Sequence, residues 1–326
     1  MIRDSFERVI DYMRISVTDR CNLRCIYCMP SEGVKPVSHR HILSYEEIVR
    51  IVRVAARLGV RKIRITGGEP LIRKNLVHLI EAISETEGIG DVSLTTNGML
   101  LKQFARPLAA AGLRRVNISL DTLRDDRFRE MTRGGEKSLV MEGIDEAERS
   151  GLMPVKINMV PIRGFNDDEI EDFANMTKTL PYHVRFIEFM PIGARDFWSE
   201  EKYIYIEEIR ERLSRVGPLM PVRVRKAGPA RYFRFENARG VVGFISALTH
   251  HFCGSCNRLR LTADGKLRPC LFSETEIDLK TPLRSGVPDE EIERMLRLAV
   301  EIKPQGHSIG REDGFSHLKD MSKIGG

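Results

Sequence analysis

The chain has 326 residues, 42% hydrophobic and 30% charged, with 52 basic against 46 acidic side chains and a formal net charge of +6. No run approaches the roughly 20 apolar residues of a membrane span, and the opening MIRDSFERVIDYMR has no apolar core of an export signal, so the sequence predicts a cytoplasmic protein with no membrane contact. There is one tryptophan and no block of five or more basic residues, which argues against a nucleic-acid partner, while the mild positive excess fits an anionic ligand.

Taken in chain order, strand-like runs alternate with amphipathic helical stretches. The first strand, Arg14–Val17, leads directly into DRCNLRCIYCMP. Cys21, Cys25 and Cys28 there form C-x3-C-x2-C, three thiolates in one short loop without a fourth. A tetrahedral zinc or a closed iron–sulfur cluster takes four ligands, so three thiolates on a four-iron cluster leave one iron open to a small molecule. A zinc reading needs an outside ligand such as His39 or His41, and the spacing is not the paired C-x2-C of zinc ribbons.

Ser44 caps the next helix, with Glu47 three residues on as a capping box, and Gly59 ends it. The second strand, Lys62–Thr66, runs into RITGGEP, where Gly67 and Gly68 allow close backbone approach to a ligand. A helix over Asn75–Glu85, a strand over Asp91–Thr95 and a helix over Leu100–Ala111 follow. Then come a strand at Arg115–Ser119, a helix at Ser138–Ser150, a strand at Pro154–Val160, a helix at Asp167–Leu180 and a sixth strand at Val184–Phe189. Repeated βα units predict an α/β fold with a parallel sheet, here a partial (β/α)6 TIM-like barrel whose site lies at the carboxyl ends of the strands.

Side chains alternate between the two faces of a strand. Ile15 and Val17, Ile63 and Ile65, Val92 and Leu94, Val116 and Ile118, and Val155, Ile157 and Met159 form the apolar face that meets the helices. The opposite face then places Arg14, Lys62, Arg64, Lys156 and Arg185 in the lumen against one acid, Asp121. So much buried positive charge requires an anionic occupant such as a polyphosphate. On the sixth strand Arg185 shares parity with Ile187 and Phe189, which predicts a bulge or local twist.

Beyond Pro191 the βα rhythm fades. Trp198–Leu213 is predicted as one surface helix, Pro218–Arg225 as irregular and extended, and Arg231–Ile245 as β. The division is therefore a barrel over 1–228 and a second region over 229–326 that closes the barrel mouth. That region holds Cys253, Cys256 and Cys270 as C-x2-C-x13-C, again three thiolates. A fourth ligand from His250 or His251 would make a zinc knuckle; without it the triplet suits a second four-iron cluster with an open iron. Arg258 and Arg260 follow at period two and point the same way, as phosphate recognition requires. His78, His183, His307 and His317 show no ligand spacing.

The runs RISVTDRCNLRCIYCMP, KIRITGGEPLIR, LTTNG, NISLDT, VKINMV, RFIEFMP and FCGSCNRLRLTADGKLRPCLF, with the terminal IGG, together resemble the MoaA family of radical S-adenosylmethionine GTP 3′,8-cyclases of molybdenum cofactor biosynthesis. The resemblance implies two 4Fe–4S clusters, one on Cys21, Cys25 and Cys28 with S-adenosylmethionine on its open iron, the other on Cys253, Cys256 and Cys270 facing the guanine ring. It implies Tyr27, Gly68, Asn97, Ser119 and Met190 as S-adenosylmethionine contacts. Arg14, Lys62, Arg64, Thr95, Lys156, Arg185, Arg258 and Arg260 are the implied GTP contacts, with Arg258, Arg260, Gly325 and Gly326 serving catalysis. The implied reaction is abstraction of the ribose 3′ hydrogen by a 5′-deoxyadenosyl radical, then attack of C3′ on guanine C8. The implied partners are a flavodoxin- or ferredoxin-like electron donor, the next enzyme of the pathway and a second copy in a homodimer. A peptide-modifying radical enzyme with an auxiliary cluster is a rival reading, but its usual seven-cysteine C-terminal region is missing; a zinc-binding module is the rival from another class.

Overall fold

The computed structural model describes residues 1–193, 197–224, 228–307 and 321–324. Six βα units come first: β1 (Tyr12–Ser16), α1 (Tyr45–Arg57), β2 (Lys62–Thr66), α2 (Leu76–Ser84), β3 (Asp91–Thr96), α3 (Leu101–Ala110), β4 (Arg115–Ser119), α4 (Asp125–Thr132), α5 (Lys137–Arg149), β5 (Lys156–Met159), α6 (Ile170–Thr179) and β6 (His183–Ile187). The rest of the chain adds α7 (Ile206–Ser214), β7 (Leu219–Pro221), β8 (Arg231–Phe235), β9 (Val241–Ile245), β10 (Arg258–Leu261), β11 (Lys266–Arg268), β12 (Ile277–Asp278), α8 (Lys280–Arg284), α9 (Asp289–Glu301) and α10 (Met321–Ile324).

All twelve strands form one sheet in the order β12-β11-β10-β1-β2-β3-β4-β5-β6-β9-β8-β7. The run from β10 through β1–β6 to β9 is parallel throughout. The six-stranded partial barrel is thus widened at each edge by a parallel strand from beyond residue 229, and each of these is backed by antiparallel strands. No helix of the described residues is long and apolar enough to cross a membrane.

The apolar parity governs the core. Ile15, Val17, Ile63, Ile65, Val116, Ile118, Ile157 and Met159 are completely buried against the helices, each contributing about 1.5–3 kcal/mol. On the outer layer, α1 begins at the expected cap: Ser44 Oγ accepts from Glu47 N at 3.2 Å, and Ser44 N donates to the Glu47 carboxylate at 2.7 Å.

Two sequence expectations change, and one helix was not foreseen. The sixth strand needs no bulge, because β6 pairs with β5 and β9 in unbroken register. Val184 and Phe186 take the helix side, and Ile187 faces inward with Arg185 because Ala230, Tyr232, Val241 and Ile245 give it an apolar cover. Trp198–Leu213 is not one helix. Only Ile206–Ser214 is α-helical, after a 3-10 turn at Glu200–Lys202, because Tyr203 and Ile204 are drawn into the core in extended conformation and the Trp198 indole donates to Phe189 O at 3.1 Å. Helix α4 escaped the reading: DDRFREMT has few apolar residues, yet Phe128 and Met131 bury almost completely.

Candidate active site

Strand register gathers the inward cations. Across the sheet, Arg260 of β10, Arg14 of β1, Arg64 of β2, Ser93 of β3 and Arg115 of β4 are successive partners in one row. A second row runs through Thr95, Asn117, Lys156 and His183, and a third through Ser119, Asn158, Arg185 and Gly243. Gly243 makes room for Arg185, since a Cβ there would lie 3.0 Å from Arg185 Cγ and 2.9 Å from the Tyr232 ring.

The lumen has more acids than parity alone assigned. Lys62 Nζ pairs with Asp11 at 2.7 Å, both partly exposed, and Arg115 pairs with Asp91. Asp11 precedes the first strand, so parity could not place it, whereas Asp91 opens the third strand on the same inward parity as Ser93 and Thr95 and was overlooked. Arg14, Arg64, Lys156 and Arg185 have no carboxylate partner among the described residues, and Arg185 Nη2 makes one neutral hydrogen bond, to Asn117 Oδ1 at 2.7 Å.

This crowding sets the ionisation. Burial, then the charges of Arg185, Arg115 and Arg64, bring the Lys156 ammonium down to about 6. Burial and Arg258 lower Arg260 to about 10, and burial lowers Arg185 to about 10. Burial and Arg260 hold Arg14 well below the usual guanidinium range. His183, set aside in the sequence, lies in this lumen edge-on to the Tyr232 ring at 5.3 Å; burial and Lys156 lower it to about 3, so it is neutral. Arg14 Nε, Arg185 Nε, Thr95 Oγ1 and Asn158 Oδ1 are buried with no partner among the described residues. A space of about 240 Å³ opens beside this face, lined among others by Arg64, Arg115, Ser255, Cys256 and Arg258. Unmet donors and crowded cations around a cavity are the chemistry of a polyanion site.

The first cysteine triplet follows β1, at the carboxyl ends of the barrel strands. Burial, then Cys28, Asp121 and Cys21, push the Cys25 thiol far up. Tyr27 Oη donates to Asp121 at 2.6 Å, and Asp121 accepts from Val160 N at 2.9 Å, which ties the cysteine loop to β4 and β5. Burial brings Asp121 up to about 6. Asn97 Nδ2 reaches Cys21 Sγ at 3.8 Å and Asn22 Oδ1 at 2.8 Å. Gly68 N donates to Thr18 O at 2.7 Å, and a Cβ on Gly68 would lie 2.3 Å from Arg20 O, so this glycine is needed for the cysteine loop itself to pack. Glu69, unremarked in the sequence, is completely buried and accepts from Leu71 N, Thr96 Oγ1 and Asn97 N at 2.9, 2.8 and 2.7 Å. It welds the GGEP turn to the TTNG turn, and burial raises it to about 7. Ser119 ends β4 on the same face, and Met190 follows β6.

The second triplet lies at the other end. Cys256 precedes β10, and Cys270 follows β11, which runs antiparallel to it, so both sit at the amino ends of the barrel strands. The two triplets are separated by the length of β1, about 16 Å at 3.3 Å per residue. Arg258 stacks over Phe252 at 4.5 Å. Burial pushes the Cys256 thiol up, but Arg258 and Lys303 beside it prevail and bring it to about 7. All six cysteines are free thiols. Among the described residues no three His, Cys, Asp or Glu side chains converge on one ion position. His250 pairs with Glu207 at 2.9 Å, His251 lies against the His307 ring at 5.2 Å, and His41 contacts Ser38 at 2.8 Å. Two three-thiol sets suit two clusters with an open iron each.

Gly325 and Gly326 lie outside the described residues. Ile324, the residue before them, is buried in one apolar cluster with Met190, Ile192, Leu271, Phe272 and Met321.

The chain resembles known proteins along its whole length. The family model described as Radical SAM superfamily matches residues 15–177, and that described as Molybdenum Cofactor Synthesis C matches residues 182–309. The GTP 3′,8-cyclase of Thermodesulfovibrio yellowstonii is 54% identical over 327 residues, covering 100% of both chains. Its namesake from Pelotomaculum thermopropionicum is 51% identical, again over 100% of both, and that of Moorella thermoacetica is 52% identical over 326 residues and 100% of both. Among solved structures, Streptococcus suis SuiB bound to S-adenosylmethionine superposes with a TM-score of 0.61 at 16% identity, covering 87% of this chain and 68% of that one. Methylornithine synthase does so at 0.54 and 16%, covering 91% and 84%. These two likenesses are likenesses of fold.

Proposed function

The chain belongs to the GTP 3′,8-cyclase family of radical S-adenosylmethionine enzymes, and from that premise we propose how its residues divide the work. It is a lyase acting on GTP in the first step of molybdenum cofactor biosynthesis, with S-adenosylmethionine and 4Fe–4S clusters as cofactors. Bound at the first triplet, these supply one-electron cleavage of a carbon–sulfur bond and hydrogen abstraction from the substrate ribose.

The observation that carries the residue assignment is the inward band of buried and half-buried cations, four of which (Arg14, Arg64, Lys156 and Arg185) have no carboxylate partner among the described residues, stretched between two incomplete thiol sets. Cys21, Cys25 and Cys28 hold the first cluster, and Cys253, Cys256 and Cys270 the second. Arg14, Arg64, Lys156, Arg185, Arg258 and Arg260 grip the triphosphate and base, with Thr95 and Lys62 at the margins. For Arg14, Arg64, Lys156 and Arg185, which have no carboxylate partner among the described residues, the nucleotide supplies the matching charge, so binding and lumen neutralisation are one event. Tyr27, Gly68, Asn97, Ser119 and Met190 flank the first triplet as S-adenosylmethionine contacts. Residues 1–228 thus carry the radical source, and residues 229–326 carry the second cluster and the wall that holds the base. Gly325 and Gly326 complete the pocket, supported by the anchoring of Ile324 beside Met190. A flavodoxin- or ferredoxin-like donor, a homodimer, transfer of product to the next enzyme and a cytoplasmic setting belong to the same proposal; the family resemblance supports them.

The test is anaerobic incubation with S-adenosylmethionine, GTP and a reductant. The expected result is 5′-deoxyadenosine formed in step with loss of GTP; 5′-deoxyadenosine with GTP untouched would refute the substrate assignment. Arg258→Ala removes a charge-assisted contact of about 1.5–3 kcal/mol, so GTP affinity falls by roughly 10- to 150-fold. Cleavage of S-adenosylmethionine without GTP stays as in the parent enzyme. Unchanged GTP affinity would remove Arg258 from the site.

A further inference from the structure

We propose that Lys303 is the counter-cation of the second cluster, a positioning residue that both fastens the ligand loop and favours the cluster's reduced state. The inference rests on the assignment of a cluster to Cys253, Cys256 and Cys270.

Two buried cations grip the backbone of this triplet. Arg8 donates to Cys253 O at 2.7 Å, to Pro304 O at 2.7 Å and to Gln305 O at 2.9 Å, and its charge is met by Asp4 at 2.6 Å. Lys303 donates to Pro269 O at 2.6 Å and Arg258 O at 2.9 Å, and it is only 3% exposed. Pro269 immediately precedes Cys270, and Arg258 follows Cys256 by two residues, so this one ammonium ties together the separated parts of the triplet. No carboxylate pairs with Lys303 among the described residues. Burial holds its ammonium below the ordinary lysine range; Cys256 and Cys270 act against that lowering, and Arg8 and Arg258 add to it.

A buried ammonium held by two carbonyls alone is costly to keep charged, and an adjacent anion removes that cost. Three thiolates carrying a cluster are that anion. A fixed positive charge stabilises the state of the cluster with one more electron, so it raises the reduction potential; net charge and hydrogen bonding around a cluster are established levers on that potential. Nothing in the local sequence marks this lysine: it stands 33 positions beyond Cys270, at the end of α9, and only the fold brings it back.

The experiment compares the parent chain, Lys303→Met and Lys303→Arg, each loaded anaerobically, by iron content and by spectroscopic redox titration, with the first cluster as internal reference. The proposal expects the methionine variant either to titrate at a more negative potential for the second cluster alone, or to hold the first cluster and lose the second, with the arginine variant recovering the parent behaviour. A methionine variant with both clusters loaded and the second at its parent potential overturns the proposal. Parent protein holding a single cluster overturns instead the assignment on which it rests.

Discussion

Cys25→Ala is expected to abolish 5′-deoxyadenosine formation while leaving about four iron atoms per chain at the second triplet. The three thiolates of Cys21, Cys25 and Cys28 are the minimum that holds four irons and still leaves one open. Cys25 is the most telling of the three. Its thiol is driven far above its ordinary range by burial and by the neighbouring thiols and Asp121, so it ionises only when a metal takes the place of its proton. Because the loop is also anchored through Tyr27 and Asp121, the variant keeps its fold, and the loss is one of cluster and not of structure. Iron analysis and product chromatography on one preparation check this. A Cys25→Ala protein that still makes 5′-deoxyadenosine would remove the first triplet from the chemistry.

The second large effect has opposite signs in the free and bound protein. Lys156→Met is expected to stabilise the nucleotide-free protein and to weaken GTP by roughly 10- to 150-fold, the loss of one charge-assisted contact. Lys156 is almost wholly buried, and burial, then the like charges of Arg185, Arg115 and Arg64, bring its ammonium from 10.5 down to about 6. The unfolded chain therefore holds more protons than the folded one between those values, and folding stability from this group rises with pH across that window. The cost is fully present below about 6 and is absent above 10.5. Replacing buried charge by packed apolar atoms contributes about 1–4 kcal/mol, so the gain in the variant is largest near pH 6 and below and fades as pH rises. Glu69 and Asp121 titrate at about 7 and about 6, but they are common to both proteins and cancel in the difference. Thermal unfolding of both chains at several pH values, with and without GTP, reads each sign separately. A variant destabilised in the free state would show that Lys156 is paired by the protein and not by its ligand.

The inward face of the strands and the two thiol triplets were legible because two local rules do not depend on the rest of the chain. Alternation on a strand is dictated by backbone geometry, so Arg14, Arg64 and Lys156 could be placed inward from their neighbours alone. Thiol spacing is equally local. What escaped depended on distant segments. Ile187 seemed out of phase until Tyr232 and Val241 were seen to cover it from strands more than 40 residues on. Lys62 and Arg115 pair with Asp11 and Asp91; alternation could place Asp91 and Arg115 inward, but the pairing itself depends on the register between strands. Gly67 and Gly68 were read as space for a ligand, whereas the atoms nearest to them belong to the cysteine loop. The C-terminal strands read as a separate β region, and the finding that β10 and β9 join opposite edges of the barrel required the register itself.

Iron, acid-labile sulfide and zinc determined together on anaerobically reconstituted protein test the central claim most directly, that each cysteine triplet carries a cluster with one iron left open by the chain. The account predicts about eight iron and eight sulfide per chain and negligible zinc, with S-adenosylmethionine perturbing the spectrum of one cluster and GTP that of the other. Stoichiometric zinc without sulfide, or two clusters indifferent to both small molecules, would contradict it.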